Sequence, residues 1–458
     1  MNQPTALEVA ERALALARSS GGDFQVGVTH ERSLLSRFAR SAPTQATTIN
    51  NYYVDVLCVR DGHTAIATTN KLDDDALGAA ARRAEAAARA AHTDGPGTYP
   101  GLAEPATPLP HNGFDAETTR LDPERAATAL TEAFAVAAEH DLEAFGVWTA
   151  GVVQTAIASS SGATLLDHVT DAFMKVVCRD AEGRSGYATD AAVAAGSLDP
   201  TGIARRAAAK ISRAELAELG PGTYPVVLEP EAVGMLLEML GMLAFNGLAH
   251  AEGRGALAGR LGAQVAAPEI DLSDSPRSPR TLPRAFDAEG VAKEPLALIE
   301  RGVARGVAHD RRSAVLQRNS ARSTGHALEA GGSSFGPYPT NLVLGAGDAA
   351  GPAELAAPIE RGIYVTRLWY LNPVREKETL LTGMTRDGTF LIEDGAITRP
   401  LRDVRFTDSV LRLLSATEAL ANEQRLVTEG EFYGRRFASG SVCPALRADG
   451  FRVTGGTV

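Results

Sequence analysis

The chain has 458 residues, of which 44% are hydrophobic and 22% charged, so it is long enough for two domains and has the composition of a globular protein. Its formal net charge of −11 argues against nucleic-acid binding as its main role. Cys58, Cys178 and Cys443 lie far apart and form no CxxC pair, which argues against a disulfide framework and a cysteine-rich zinc site. The first residues predict a helix, not a signal peptide, and no apolar run is long enough to span a membrane. We therefore expect a cytoplasmic protein.

The first half of the chain predicts a mixed α/β domain over residues 1–220. Helical spacing of apolar residues predicts helices at 5–20, 73–91, 122–140 and 199–219. Alternation and β-branched residues predict strands at 24–28, 34–38, 51–60, 64–69, 145–159 and 163–180. Asp61-Gly62 indicates a tight turn, and the Pro- and Gly-rich stretch 95–114 a long loop. We place the domain boundary at Gly220-Pro221-Gly222.

The second half, residues 221–458, predicts a largely antiparallel β domain, so the fold class is α+β. Turn signals occur at Arg301-Gly302, Asp387-Gly388 and Asp394-Gly395. The predicted strands are 224–228, 296–300, 303–309, 342–344, 362–371, 379–387, 389–392, 397–400 and 441–453. Helices are predicted over 229–254, with a buried face of Met and Leu, and over 409–421. Residues 264–285 predict a surface loop.

Three short segments contain residues that could carry chemistry. His250 and Glu252 are two residues apart, so they point to different helix faces and cannot form the i, i+4 pair of an HExxH metal site. We interpret them as a polar helix end. The stretch from Gly331 to Tyr338 lacks both the spacing and the lysine of a phosphate-binding loop, and it predicts a turn.

The third segment is Ser323-Thr324-Gly325-His326, which could supply a histidine to Cys443. Such a nucleophilic pair needs a third orienting group and a lowered thiol pKa, and the sequence does not show proximity. We favour a packed thiol. No Ser–His–Asp, Walker or Rossmann signature is present, so the residues alone define no active site.

Seven short motifs, taken in order, resemble the TldD/PmbA family, and its TldE (PmbA) branch in particular. They are Phe286–Val291, Leu298–Val303, Ser323–His326, Pro339–Asn341, Thr382–Gly388, Ile392–Gly395 and Ser441–Leu446. The resemblance implies the two-domain α+β fold of that family. In TldD-type subunits it implies an HExxxH helix, in which two histidines and a distant cysteine bind zinc and the glutamate is the general base toward a bound water. TldD pairs with TldE to form a peptidase for small, unstructured peptides, and the family is also connected with DNA gyrase modulation.

The zinc motif is degenerate in this chain. Aligning Gly234–Leu237 with the residues that lead into HExxxH places Glu238 and Met239 at its His-Glu positions and Leu243 at its second histidine. A neutral thioether is a poor zinc ligand, and leucine offers no donor. Cys443 matches a different point of the family's tail. We therefore expect no catalytic residue, metal or other cofactor in this chain.

The resemblance leads to the hypothesis of a non-catalytic TldE-like subunit that pairs with a TldD-like HExxxH subunit, which would hold the zinc. We expect this hetero-oligomer to enclose a peptide chamber, with neither nucleic acid nor membrane as a partner. Candidate chamber residues are His326, Thr340, Asn341 and Cys443, whereas Glu238 is expected at a solvated helix edge. Two alternatives remain. One is an independent enzyme for peptide or metabolite tailoring that uses Cys443, His326 or acidic residues. The other is a regulatory protein that binds a toxin or topoisomerase.

Overall fold

The computed structural model describes residues 3–18, 22–91, 97–317, 322–428 and 434–456. Its strands form two sheets, one within residues 23–192 and the other within residues 222–456. Helices accompany both sheets, so the predicted α+β class is confirmed. The boundary predicted near residue 220 falls between the two sheets and stays a prediction.

The first sheet has six antiparallel strands in the order β3-β2-β1-β4-β5-β6. The strands are β1 (Asp23–Ala39), β2 (Ala42–Arg60), β3 (His63–Thr69), β4 (Glu143–Ser159), β5 (Thr164–Arg179) and β6 (Ser185–Ala192). The helices of this half are α1 (Ala6–Ala17), α2 (Asp74–Ala91), α3 (Pro123–Glu139) and α4 (Pro200–Ala208). Residues 97–114 contain no helix or strand, as predicted; 95 and 96 lie outside the described residues, as do 19 and 20 of the first predicted helix.

Both faces of the central strands β1, β4 and β5 are largely buried. One row of their side chains faces the helices, and the other row meets the second half of the chain. Phe24 and Val26 of β1 belong to the core formed with α1 and α2. Gln25, between them, points the other way, and its side-chain amide donates to the carbonyl of Ala288 at 2.8 Å. Alternate residues of a strand point to opposite faces, so these long strands are buried on both sides.

The second sheet contains eleven strands, and five of them close into a ring. The order is β10-β9-β8-β11-β17-β15-β13-β12-β7, with β14 on β13, β16 on β17, and β7 also paired with β17. The strands are β7 (Gly222–Leu228), β8 (Leu272–Asp274), β9 (Leu296–Glu300), β10 (Val303–Ala304), β11 (Asn341–Leu344), β12 (Arg361–Arg375), β13 (Leu380–Glu393), β14 (Ala396–Pro400), β15 (Val404–Ser409), β16 (Thr417–Val427) and β17 (Gly440–Gly456). The helices are α5 (Pro230–Leu243), α6 (Gly247–Ala251), α7 (Arg311–Leu316), α8 (Pro352–Ala356) and α9 (Val410–Ser415).

The helix predicted over 229–254 is two helices, α5 and α6. Proline at the first position suits the start of α5, because that residue has no helical N–H partner to lose. The break follows Leu243, where the Asn246 side chain accepts from the N–H groups of Leu248 and Ala249 and so begins a new helix. Gly247 is required there, since an added Cβ would lie 2.2 Å from the Ala308 carbonyl oxygen.

Three other predicted elements are wrong. The helix predicted over 199–219 ends at Ala208, because the chain then extends and the Ala217 N–H donates to the Pro400 carbonyl at 2.8 Å. The predicted surface loop 264–285 contains β8, whose partners β9 and β11 bury it within the sheet. The helix predicted over 409–421 stops after one and a half turns, because β16 pairs with β17 from Thr417 onward.

Three of the four predicted turns are confirmed, and the fourth is wrong. Asp61-Gly62, Arg301-Gly302 and Asp394-Gly395 take positive φ angles in tight connections, as predicted. Asp387-Gly388 also has positive φ angles but lies inside the continuous strand β13. The register with β12 shifts opposite this pair, so it is a bulge and not a turn.

Arg436 connects the segment before β17 to the inner face of the first sheet. Its Nε and Nη2 donate to the two carboxylate oxygens of Asp171 at 2.8 and 2.6 Å, and its backbone N–H donates to Glu31 Oε2 at 2.9 Å. Both charged side chains of the pair are at most 3% exposed. Gly151 of β4 makes room for this arginine, because an added Cβ would lie 2.3 Å from Nε.

We predict that Arg436→Met lowers the free energy of unfolding by about 3–5 kcal/mol, because the Asp171 carboxylate would stay buried without its partner. Urea unfolding followed by circular dichroism measures the change. Arg254→Gln is the control: Arg254 pairs with Glu252 at 2.6 Å on an exposed surface, and its loss costs less than about 1 kcal/mol. Equal effects of the two substitutions would contradict a structural role for the buried pair.

Candidate functional site

One face of α5 forms a wall of a cavity that residues from both halves of the chain line. Residues at i, i+3, i+4 and i+7 lie on one face of a helix. Glu231, Gly234, Met235 and Glu238 have this spacing, and all four line a cavity of about 380 Å³. The opposite wall comes from β6, from β12 and from the segments before β11 and β17. The cavity therefore collects side chains from both halves of the chain.

The three positions of the degenerate zinc motif separate onto two faces of α5. Glu238 is exposed and lines the cavity, whereas Leu243 is buried in the main core and Met239 packs against that core. A zinc site needs several donors that converge on one point. Met239 and Leu243 turn away from the cavity, so these residues do not fit a zinc ion. Within the described residues, no group of three or more His, Cys, Asp or Glu side chains is placed to hold a metal.

Glu231 is the most buried acidic residue of this cavity. It is 4% exposed, and its Oε2 atom has no hydrogen-bond partner. Burial, followed by the neighbouring Glu229 carboxylate, raises the pKa of Glu231 to about 7, although Arg425 acts in the opposite direction. Glu229 is itself paired with Lys210, so its charge is already compensated. Near neutral pH, Glu231 can thus hold or release a proton.

An arginine between two aromatic rings forms the facing wall. The Arg367 guanidinium carbon lies 4.1 Å from the Tyr187 ring centroid and 4.9 Å from that of Trp369. Its Nη2 pairs with Asp387 at 2.8 Å, while its Nε has no hydrogen-bond partner. The rings and the carboxylate hold the guanidinium at this wall.

A second cavity of about 130 Å³ adjoins the first. The two share four lining residues, namely Tyr338, Thr340, Arg435 and Phe437. The cations around the second cavity outnumber the acids, since Arg284, Lys293, Arg435 and Arg436 line it together with a single carboxyl group, that of Asp287. Burial raises the pKa of Asp287 to about 6, although three backbone N–H groups donate to its carboxylate.

His326, a predicted chamber residue, lies in the wall of the second cavity and belongs to a buried ionic cluster. Its Nε2 is 3.2 Å from Asp274 Oδ1, outside hydrogen-bond geometry, and Lys293 Nζ is 3.5 Å from the same oxygen. Burial would raise the pKa of Asp274, but the positive charge of Lys293, together with the contact of His326, outweighs it and lowers that pKa. Burial, and then the charge of Lys293, lowers the pKa of His326 and favours its neutral form.

The other three predicted chamber residues, Thr340, Asn341 and Cys443, lie in different places. Thr340 lines both cavities, and its hydroxyl donates to Asn341 Oδ1 at 2.9 Å. Asn341 is fully buried; its backbone N–H donates to Asp274 Oδ2 at 2.8 Å, so it supports the wall from behind. Cys443 lines neither of these two cavities, and its Sγ lies 3.3 Å from the carbonyl of Pro230.

Cys443 is not placed as a nucleophile. Burial, followed by the charge of Glu231, raises the pKa of its thiol far above the ordinary value, so the thiol stays protonated. Its contact is to the start of α5, whereas His326 contacts Thr324 and the Asp274 cluster. The structure does not join the two in a Cys–His pair.

Two further predictions on this region have clear outcomes. The interpretation of His250 as part of a polar helix end is wrong, because His250 is 8% exposed and burial lowers its pKa. The turn predicted over Gly331–Tyr338 is confirmed, since Gly331, Gly332 and Gly336 have positive φ angles. Tyr338, at the end of this turn, lines both cavities.

Sequence reasoning missed most of the charged residues of the site. Glu231 could have been found, because it lies two helical turns before Glu238 on one face of a helix. Arg284 and Lys293 carried no such signal. They follow β8, in a region that was predicted to be surface loop or left unassigned, and only the tertiary structure buries them.

We predict that Glu231→Gln stabilises the protein at about pH 8 by roughly 2–3 kcal/mol and has little effect near pH 4. The folded protein holds the Glu231 proton more tightly than the unfolded chain, whose ordinary pKa is 4.5. Wild-type stability should therefore fall as the pH rises from about 4.5 to about 7, and the neutral glutamine removes this loss. Urea unfolding across this pH range measures it. Glu238→Gln, on the same face but exposed, is the control, and an equal gain at both pH values would contradict the prediction.

Two family models that match this chain describe domains of the same family. A family model described as the PmbA/TldA metallopeptidase C-terminal domain matches residues 221–455, and the model for domain 1 of the same family matches residues 25–88. A metalloprotease of Methanothermobacter thermautotrophicus is 28% identical over 226 residues, 49% of this chain and 48% of that protein. A metalloprotease of Synechocystis is 27% identical over 216 residues, 44% of this chain and 42% of that protein. The chain thus spans less than half the length of these two relatives.

Solved structures share the fold along nearly the whole chain. TldE from Thermococcus kodakarensis superposes with a TM-score of 0.85 at 20% identity, over 98% of this chain and all of that one. A proposed modulator of DNA gyrase from Thermotoga maritima superposes with a TM-score of 0.82 at 21% identity, over 98% and 99%. No helix in the described part of the chain is long and apolar enough to cross a membrane. Because the C-terminal family model matches more than half of its residues, the chain belongs to the PmbA/TldD metallopeptidase family.

Proposed function

We propose that this chain is a TldE-type subunit that has no catalytic centre of its own and pairs with a TldD-type subunit carrying HExxxH and zinc. The observation that supports this most is the orientation of α5. The helix keeps its place beside a polar cavity, but Met239 and Leu243 pack toward the core. Met239, a thioether, thus occupies the HExxxH position of the general base, and Leu243, a hydrocarbon side chain, occupies the position of the second histidine.

The thiol supports the same proposal. A zinc-binding cysteine must lose its proton, and Cys443 lies in an environment that raises its thiol pKa. The Cys443 thiol would have to leave its buried place beside Glu231 before it could lose its proton and bind a cation. We therefore assign Cys443 to packing, and the zinc and the hydrolytic water to the partner subunit.

The role of this subunit is then to support the partner and to hold peptide. Its cavity combines aromatic, hydroxyl and charged side chains, which suits a peptide backbone better than a purely apolar ligand. Small or unfolded peptides would be selected by access to the cavity, because a folded chain cannot enter. Neither the independent-enzyme alternative nor the regulatory-binding alternative gains support from a specific contact.

We predict that the purified chain binds no stoichiometric zinc and cleaves no peptide, whereas mixing it with an HExxxH relative from the same source yields hydrolysis that a chelator abolishes. Metal analysis and a fluorogenic peptide assay measure both. The control replaces the motif glutamate of the partner with glutamine, which should remove activity because the general base is lost. Zinc and activity in the isolated chain would refute the proposal.

We further predict that Cys443→Ala leaves the activity of the reconstituted complex within about twofold of wild type, because the thiol contacts the Pro230 carbonyl and not the cavity. The same peptide assay measures this, and thermal unfolding serves to compare folded fractions. Loss of activity in a folded Cys443→Ala variant would instead favour an enzyme that uses this thiol.

A further inference from the structure

The two adjoining cavities differ in the charge that each leaves uncompensated. In the larger cavity, Arg367 is paired with Asp387 at 2.8 Å, and Arg435 is paired with Asp55 at 2.7 Å. The buried Glu231 carboxylate has no ion pair within 4.0 Å among the described residues, and its Oε2 accepts no hydrogen bond. An acid without an ion-pair partner therefore lies at this end, and Arg425 acts on it only from beyond ion-pair distance.

The smaller cavity has the opposite excess. Arg436 is neutralised by Asp171 at 2.6 Å, and Lys293 lies 3.5 Å from Asp274. Arg284 differs from both: its Nε and Nη2 each donate to the carbonyl of Ala438 at 3.3 Å, and no described carboxylate lies within ion-pair distance.

Arg284 is nevertheless held in place. Its guanidinium carbon lies 3.7 Å from the centroid of the Phe437 ring, so the group packs against this ring. Burial lowers the pKa of Arg284 to about 10, so the side chain keeps its charge at neutral pH. A buried guanidinium without a carboxylate gains strongly from an anionic ligand, and its planar fork matches a carboxylate.

The shared wall between the cavities offers hydrogen-bonding groups to a chain that passes it. The Thr340 hydroxyl donates to Asn341 Oδ1, so its oxygen can still accept from a ligand N–H. Tyr338 and Phe437 add aromatic surface beside it. A ligand that reaches both cavities must extend past these side chains, and three extended residues span at most about 10 Å.

We propose that the joined cavities bind a short peptide with two free ends, its amino group at Glu231 and its terminal carboxylate at Arg284. This inference rests on the proposed function, because it names the class of peptide that this subunit holds. Recognition of both ends would restrict the site to peptides of a few residues and would give little preference for their side chains.

Isothermal titration of the purified full chain tests the proposal with tri-alanine, N-acetyl-tri-alanine, tri-alanine amide and free alanine. We expect tri-alanine to bind, and each blocked peptide and free alanine to bind at least about tenfold more weakly, because each loses one charged contact. Glu231→Gln should weaken tri-alanine but not its acetylated form. Arg284→Gln should weaken tri-alanine but not its amide. Arg254→Gln, on the exposed surface, is the matched control and should change none of these affinities.

Equal affinities for the free and blocked peptides would overturn the proposal, as would the absence of binding at millimolar tri-alanine. Free alanine binding as tightly as tri-alanine would overturn the peptide assignment in favour of an amino-acid site. The comparison of ligands on wild-type protein decides the matter even where a variant fails to fold. Titration uses no zinc partner, so its failure is separate from failure of the reconstituted hydrolysis that tests the proposed function.

Discussion

The burial of both faces of the central strands of the first sheet, β1, β4 and β5, is the constraint on which the rest of the structure depends. A helix-covered sheet ordinarily leaves one face to water, but here the second face meets the other half of the chain and must satisfy its polar groups there. Gln25, Glu31 and Asp171 on that face all bond to residues beyond 280. The bidentate pair of Arg436 with Asp171 is the strongest of these contacts, since both charges are desolvated and fully hydrogen-bonded. The cavities lie along the same surface, so the interface that completes the fold also encloses the site.

The helix α5 divides its side chains between the main core and the cavity. Its core-facing side is apolar and includes Met239 and Leu243. Histidines at these positions would bury polar rings in the main core and destabilise the fold. The cavity-facing side remains polar. A carboxylate whose pKa is raised by burial in such a cleft is typical of functional sites, and Glu231 is such a group.

The fold class, the order of the first strands and helices, and most tight turns could be predicted from the sequence, because those signals are local. Asp61-Gly62 and Asp394-Gly395 needed only the freedom of short turns to adopt positive φ. The errors arose where distant pairing overrode local preference. The first of residues 417–427 have apolar side chains at helical spacing, yet these residues form a strand because they pair with β17. The site was harder still: Glu238 was visible through a resemblance, whereas Arg284 and Asp274 depend on contacts that no local pattern encodes.

The final strand, β17, sets the order in which the molecule can be built. It pairs with β7, β11, β15 and β16, and its partner β7 lies more than two hundred positions earlier in the chain. The first sheet is assembled mainly from neighbouring hairpins, which close quickly. During synthesis, the first sheet can therefore form while the ring of the second half remains open, with one edge of β7 and the side of α5 that packs on β17 uncovered until residues beyond 440 leave the ribosome. Apolar α5 is the segment that a chaperone would have to shield in that interval.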